Sequence, residues 1–141
     1  MTRISPLVKF SFNYSQFGCN IPVVPVRFEN ADGQSTRIIN AILDTGSDNV
    51  VIREDLANWL NISLTQRALL ANTAGGQQPS FSGNVPVFIL GRGGREVRYE
   101  NIEISVIINN PAILIGIDPV LDDYIVELDA HNRKFTLTPR I

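Results

Sequence analysis

The run Ala41-Ile42-Leu43-Asp44-Thr45-Gly46-Ser47-Asp48-Asn49-Val50-Val51-Ile52 is the most informative stretch of this chain. One apolar strand enters Asp-Thr-Gly and another leaves the loop. A carboxylate at the end of a buried strand is costly unless polar partners accompany it. Thr45 supplies a hydroxyl, and Ser47 is expected to donate a hydrogen bond toward the Asp44 carboxylate. Gly46 lets the backbone turn sharply and approach a ligand closely. The same residue types also suit an ordinary polar turn, since Asp, Thr, Gly and Ser all favour turns. A bare tripeptide match therefore settles no function.

Outward from this loop the apolar periodicity is mostly two, the period of a strand. Val23–Glu29 alternates and ends at Asn30-Ala31-Asp32-Gly33, where Asp-Gly is a strong turn signal. Strands are expected at 36–43, 50–52, 85–90 and 96–108, the last two separated by the turn Gly91-Arg92-Gly93-Gly94. Residues 112–115 are continuously apolar, as suits a strand buried on both faces. Residues 124–128 and 134–137 read as a hairpin around His131. A helix is expected over 53–60, with Glu54 and Asp55 in its first turn and Trp59 as its anchor in the core. Asp118 before Pro119 reads as the N-cap of a second short helix. The sum is an all-β domain with short helical trim and a closed or strongly curved sheet.

Composition bounds what such a domain does. The 141 residues make one domain's worth of chain, so a single domain over 1–141 is expected. With 44% hydrophobic and 18% charged residues, wholesale disorder is out. No stretch approaches the roughly 20 apolar residues that cross a bilayer, and 1–10 hold no secretory apolar run. No membrane association and a cytoplasmic location are expected, unless a precursor segment was trimmed. A net charge of −2 argues against a general polyanion binder, so no nucleic-acid partner is expected. One cysteine, Cys19, and one histidine, His131, exclude an internal disulfide and a structural zinc site. No metal and no cofactor are expected. The lone His131 lies in Asp-Ala-His-Asn-Arg-Lys, which reads as a polar turn rather than a general base.

A second motif, Ala112-Ile113-Leu114-Ile115-Gly116-Ile117-Asp118, follows some seventy residues after the first. With it the chain resembles the retropepsin family, the single-lobe aspartic proteases, over about residues 23–137. The shared pattern is an apolar run, Asp-Thr-Gly-Ser, an apolar run, then a distant apolar-apolar-Gly before a short helix. Asp118 departs from the retroviral form, which has Asn there, and matches many cellular and bacterial relatives. The resemblance implies a closed β-barrel lobe with one or two short helices and a flap hairpin. It implies that the Ile113-Leu114-Ile115-Gly116 strand passes beneath the Asp-Thr-Gly loop and braces it. It places the flap tip within 71–78 and a terminal hairpin at the end of the chain.

The resemblance also implies roles. Asp44 is the catalytic residue, supported by Thr45, Gly46 and Ser47. Gly46, Asp48 and Asn49 from below, and Ala74, Gly75 and Gly76 from the flap, would hold an extended polypeptide by strand addition. Ile42, Val51, Ile113 and Ile115 are core or pocket wall. Aspartic-protease chemistry needs two carboxylates that share a proton, because two like charges a few Å apart do not both ionise readily. This chain has one Asp-Thr-Gly and no second Asp-Thr-Gly or Asp-Ser-Gly, and a bilobal enzyme needs about twice the length. The second carboxylate is therefore expected from another copy, in a homodimer whose Thr45 hydroxyls bond the opposite chain. A Ser47 hydroxyl on the ionised dyad would lower its pKa, so Ser47→Ala would move an acidic optimum upward. Two other readings stand beside this one. One is a catalytically silent module that dimerises or binds peptides; the other is a non-protease barrel with a coincidental turn.

Other features carry bland readings. Gly91-Arg92-Gly93-Gly94-Arg95 fails the dinucleotide pattern because Glu96 occupies its last position, so a hairpin turn is expected. Arg92, Arg95 and Arg98 form a weak candidate for a basic patch. Asp122-Asp123 reads as a solvated helix end. The sequons at Asn13 and Asn61 mean little without a secretory signal.

Overall fold

The computed structural model describes residues 3–140. Its strands are β1 (Phe10–Asn13), β2 (Val23–Glu29), β3 (Ile39–Leu43), β4 (Val50–Ile52), β5 (Thr65–Gln66), β6 (Ala71–Thr73), β7 (Gly76–Gln78), β8 (Ser80–Arg92), β9 (Arg95–Ile107), β10 (Leu114–Ile115), β11 (Tyr124–Asp129) and β12 (Lys134–Pro139). One α-helix, α1 (Glu54–Leu60), follows β4. Single 3-10 turns lie at Tyr14–Phe17 and Leu121–Asp123.

Strands β2, β3, β10, β4, β9 and β8 hydrogen-bond in that order, and β8 closes back on β2. Closure removes the sheet edges and leaves a six-stranded barrel. Its interior is apolar: Val24, Val26, Phe28, Val50, Ile52, Phe88 and Ile104 are fully buried. Phe28, Phe88 and Tyr99 pack ring against ring, with centroids 5.2 and 5.8 Å apart. Each such side chain contributes about 1.5–3 kcal/mol through burial.

The long β8–β9 hairpin runs through a glycine and a proline, residues that ordinarily weaken strands. Gly83 stays in the ladder because its missing side chain admits the preceding segment; a Cβ there would meet the Ser63 carbonyl oxygen at 2.8 Å. Pro86, which has no N–H to donate, falls where the register passes from Val85↔Ile102 to Val87↔Glu100. The strand therefore begins at Ser80 rather than at residue 85. Conversely, β10 is confined to Leu114–Ile115, shorter than the apolar run suggests.

Helix α1 buries Leu56, Ala57 and Leu60. Trp59 is 43% exposed, so it is not the core anchor expected of it. Leu56 and Leu60, four residues apart, define the buried stripe, and Trp59 stands at its margin. Asp118 does not cap a helix either. Its N–H donates to the Asp48 carbonyl, and the 3-10 turn starts only at Leu121.

The N-terminal segment belongs to the same apolar core, ahead of the motif-bearing span. Phe10 and Tyr14 are buried, and β1 pairs with β12 in the sheet β1–β12–β11. The Ile4 N–H donates to the Arg98 carbonyl at 2.9 Å, and the Tyr124 hydroxyl donates to the Val8 carbonyl at 3.1 Å. Among the described residues no helix is long and apolar enough to cross a membrane.

Candidate active site

Asp44 stands immediately after β3, where the chain turns toward β4. Strand β10 lies between these two strands, parallel to β3 (Leu114↔Ile42, Ile115↔Leu43) and antiparallel to β4 (Leu114↔Val51). The backbone of 113–118, with β10 at its centre, grips the loop on both flanks. The Ile42 N–H donates to the Ile113 carbonyl at 2.8 Å and the Asp44 N–H to the Ile115 carbonyl at 2.9 Å. On the far side the Ile117 N–H donates to the Ser47 carbonyl at 2.9 Å and the Asp118 N–H to the Asp48 carbonyl at 2.8 Å. Only glycine fits at 116, since a Cβ there would meet the Ser47 and Asn49 carbonyl oxygens at 2.3 and 2.4 Å. The bracing of the loop by this second motif is thus present in detail.

Within the loop, the Gly46 N–H donates to Asp44 Oδ1 at 2.9 Å. The Ser47 hydroxyl donates to the Asn49 carbonyl at 2.9 Å, not to the Asp44 carboxylate as the sequence suggested. Two residues on, the turn presents the Asn49 carbonyl oxygen to the hydroxyl, which takes it as its acceptor. The basis for an upward pH shift in Ser47→Ala therefore falls away. Asp44 is half-buried, and Thr45 and Gly46 are exposed.

A cleft of about 690 Å³ opens beside this loop. Asp44, Gly46, Ser47, Asp48 and Asn49 form one lip. Its floor is the outer face of the barrel wall, with Leu114, Val51, Ser105 and Ile107. Leu114↔Val51 and Val51↔Ser105 are register partners, so these side chains project from one face. Residues 67–72, the arm leading into the β6–β7 hairpin, form the opposite wall.

That hairpin lies where the flap tip was expected. Thr73 pairs with Gly76, leaving Ala74 and Gly75 as a two-residue turn. Gly76 has φ +100°, a conformation that favours glycine. The Thr73 hydroxyl ties the turn, donating to the Gly76 carbonyl at 2.7 Å and accepting from the Gly75 N–H at 3.2 Å. Ala74, Gly75 and Gly76 do not line the cleft of the single protomer, whereas Gly46, Asp48 and Asn49 do. Arg67, Leu69, Leu70, Ser80 and Ser105 line it too, and the sequence reading missed them. The one available signal was Leu69-Leu70, an apolar pair left exposed beside the hairpin.

The other charged candidates are engaged in holding the fold. Arg92 stacks 5.2 Å from the Phe17 ring, Arg95 donates to the Lys9 carbonyl, and Arg98 pairs with Glu29 at 3.2 Å. Asp123 is not simply a solvated helix end: it accepts from the Tyr99 hydroxyl at 3.5 Å and faces Arg3 at 3.8 Å. Burial, and next the neighbouring Tyr124 and Asp123, raise the Tyr99 pKa far above its usual value.

The aspartyl protease family model matches residues 24–118, well over half of the chain, and the chain belongs to that family. Its fold is retropepsin-like. It is similar to the crystal structure of a retropepsin-like aspartic protease from Rickettsia conorii, at 14% identity and a TM-score of 0.67, covering 94% of this chain and 100% of that one. More distant are the EIAV protease complexed with the inhibitor HBY-793 (23% identity, TM-score 0.48, 72% of this chain and 86% of that one) and the retroviral protease-like domain of Ddi1 from Leishmania major (15%, 0.49, 86% and 94%). No curated protein sequence matches the chain significantly.

Proposed function

We propose that this protein is an aspartic endopeptidase whose catalytic dyad is built from Asp44 of two identical chains. The observation that carries this reading is one carboxylate, on a loop pinned from both sides, at the lip of a cleft large enough for peptide side chains. One such carboxylate is half of the chemistry. Paired across a two-fold axis, two Asp44 groups share a proton: one takes a proton from the attacking water, and the other donates to the developing oxyanion. In this reading Thr45, which is exposed, bonds the opposite loop, and Gly46, whose N–H donates to Asp44 Oδ1, supports the carboxylate. The Gly46 carbonyl and the Asp48 and Asn49 backbone pair with an extended substrate from below. Ala74, Gly75 and Gly76 close on it from above once the hairpin swings over the cleft. The location we assign is the cytoplasm, where a lone free thiol such as Cys19 is at home.

The test is hydrolysis of an unfolded polypeptide at acidic pH by the purified protein. Asp44→Asn is expected to lower kcat by about 10³-fold or more. Activity per protomer is expected to fall on dilution as the dimer dissociates. Full activity in a strictly monomeric sample, or in Asp44→Asn, would refute the proposal.

A further inference from the structure

The cleft floor changes character along its length. Near Asp44 it is apolar, with Leu114 and Val51; farther across, the lining becomes polar, with Ser105 on the floor and Ser80 and Arg67 beside it toward the opposite wall. Ser105 lies three strands over from β3, which Asp44 ends, so roughly 14 Å separates the two at ~4.8 Å per strand. Both serines are buried, although they line the cleft. Arg67 is the one cationic residue lining it, among the described residues.

Arg67 is held from its backbone and underused at its side chain. Its N–H donates to the Ser80 carbonyl at 2.9 Å. Its Nη2 stands 3.5 Å from Glu103, in a pair with both side chains partly in water, which is a weak interaction. Its Nε–H is buried and has no partner among the described residues. Buried donors in native structures are nearly always met by protein, water or ligand. A guanidinium that lines the cleft with its side chain partly open to solvent, held only by a weak surface pair, is a receptor for a carboxylate.

Resting on the peptidase reading above, we infer that Arg67 is the specificity-determining residue of this cleft and selects substrates with an acidic side chain near the cleaved bond. A glutamate fits the floor: its methylenes lie over Val51 and Ile107, and its carboxylate reaches the Arg67 fork with Ser80 and Ser105 alongside. Repulsion from Asp44 does not cancel this, because roughly 14 Å exceeds the ~8 Å screening length at physiological salt.

The experiment uses extended peptides that share one cleavable bond and carry Glu, Gln or Lys in turn at each flanking position. At about pH 6 a free glutamate is ionised. At one position Glu is expected to exceed Gln about tenfold in kcat/KM, the low end for a charge-assisted hydrogen bond. Arg67→Gln should bring that ratio near one, Arg67→Glu should invert it in favour of Lys, and Glu103→Gln should enlarge it by freeing the guanidinium. A ratio untouched by Arg67→Gln, or no position favouring Glu, overturns the inference while leaving the peptidase intact. If no peptide is cleaved, the peptidase reading itself fails. Binding of the same peptides to Asp44→Asn protein then decides on Arg67: tighter binding of the Glu peptide, lost on adding Arg67→Gln, supports the inference, and equal affinities overturn it.

Discussion

At Gly116 the absence of one carbon lets two backbones meet. A methyl group there would sit 2.3 and 2.4 Å from the Ser47 and Asn49 carbonyl oxygens of the Asp-Thr-Gly loop, and those oxygens are themselves engaged, the first by the Ile117 N–H and the second by the Ser47 hydroxyl. Neither side can yield cheaply, so Gly116→Ala is expected to cost about 3 kcal/mol. In a thermal melt that is a fall of roughly 10 °C in Tm. Ser47 offers a milder case. Its hydroxyl closes the turn on the Asn49 carbonyl, so Ser47→Ala should cost about 1 kcal/mol in urea unfolding. Its pH–rate profile should keep the acid limb of the parent; a limb displaced upward would mean that the hydroxyl serves the carboxylate after all.

Elements show which side chains carry the packing. In α1, Leu60 is buried and Trp59, though larger, is half in water. Leu60→Ala is expected to lose about 2–5 kcal/mol and Trp59→Ala less than about 1 kcal/mol, read from paired denaturant curves. Strands β2 and β4, the Asp-Gly turn after β2 and the hairpin around His131 were legible because alternation and turn residues are local signals. The Asp-Thr-Gly loop and its brace were legible because two motifs, each ambiguous alone, constrain one another. The β1 strand was not: Phe10-Ser11-Phe12-Asn13 has no turn punctuation, and only its partner β12, far along the chain, makes it a strand. Arg67, Ser80 and Ser105 were hidden for the same reason. They lie on three different strands or arms, and only barrel closure sets them around one cavity. Trp59 misled because helical spacing marks a face without fixing how wide the buried stripe is.

For the molecule as a whole, the sheet β1–β12–β11 and the N-terminal strap meet the barrel around Tyr99 and Tyr124. Burial pushes Tyr124 up to about 12 and Tyr99 higher still, against a usual value of about 10. Because the folded-state values lie above the unfolded ones, their stabilisation is intact below pH 10. Above that the unfolded chain releases protons that the native one retains, and stability falls as pH rises toward and past 12. Urea unfolding between pH 9.5 and 11.5 should lose stability with a slope that steepens toward, and does not exceed, about 1.4 kcal/mol per pH unit per tyrosine, and Tyr99→Phe should flatten the slope.

Asp123 has a consequence for the chain's connectivity. Its carboxylate faces Arg3, and its carbonyl accepts from the Arg140 N–H at 2.9 Å. Both extremities of the described polypeptide therefore converge on a single amino acid, so a linker of a few residues can join them. New ends opened at the solvent-exposed Gly93-Gly94 bend leave the Asp-Thr-Gly lip and its brace uncut, and the permuted molecule retains its native wiring around the cavity.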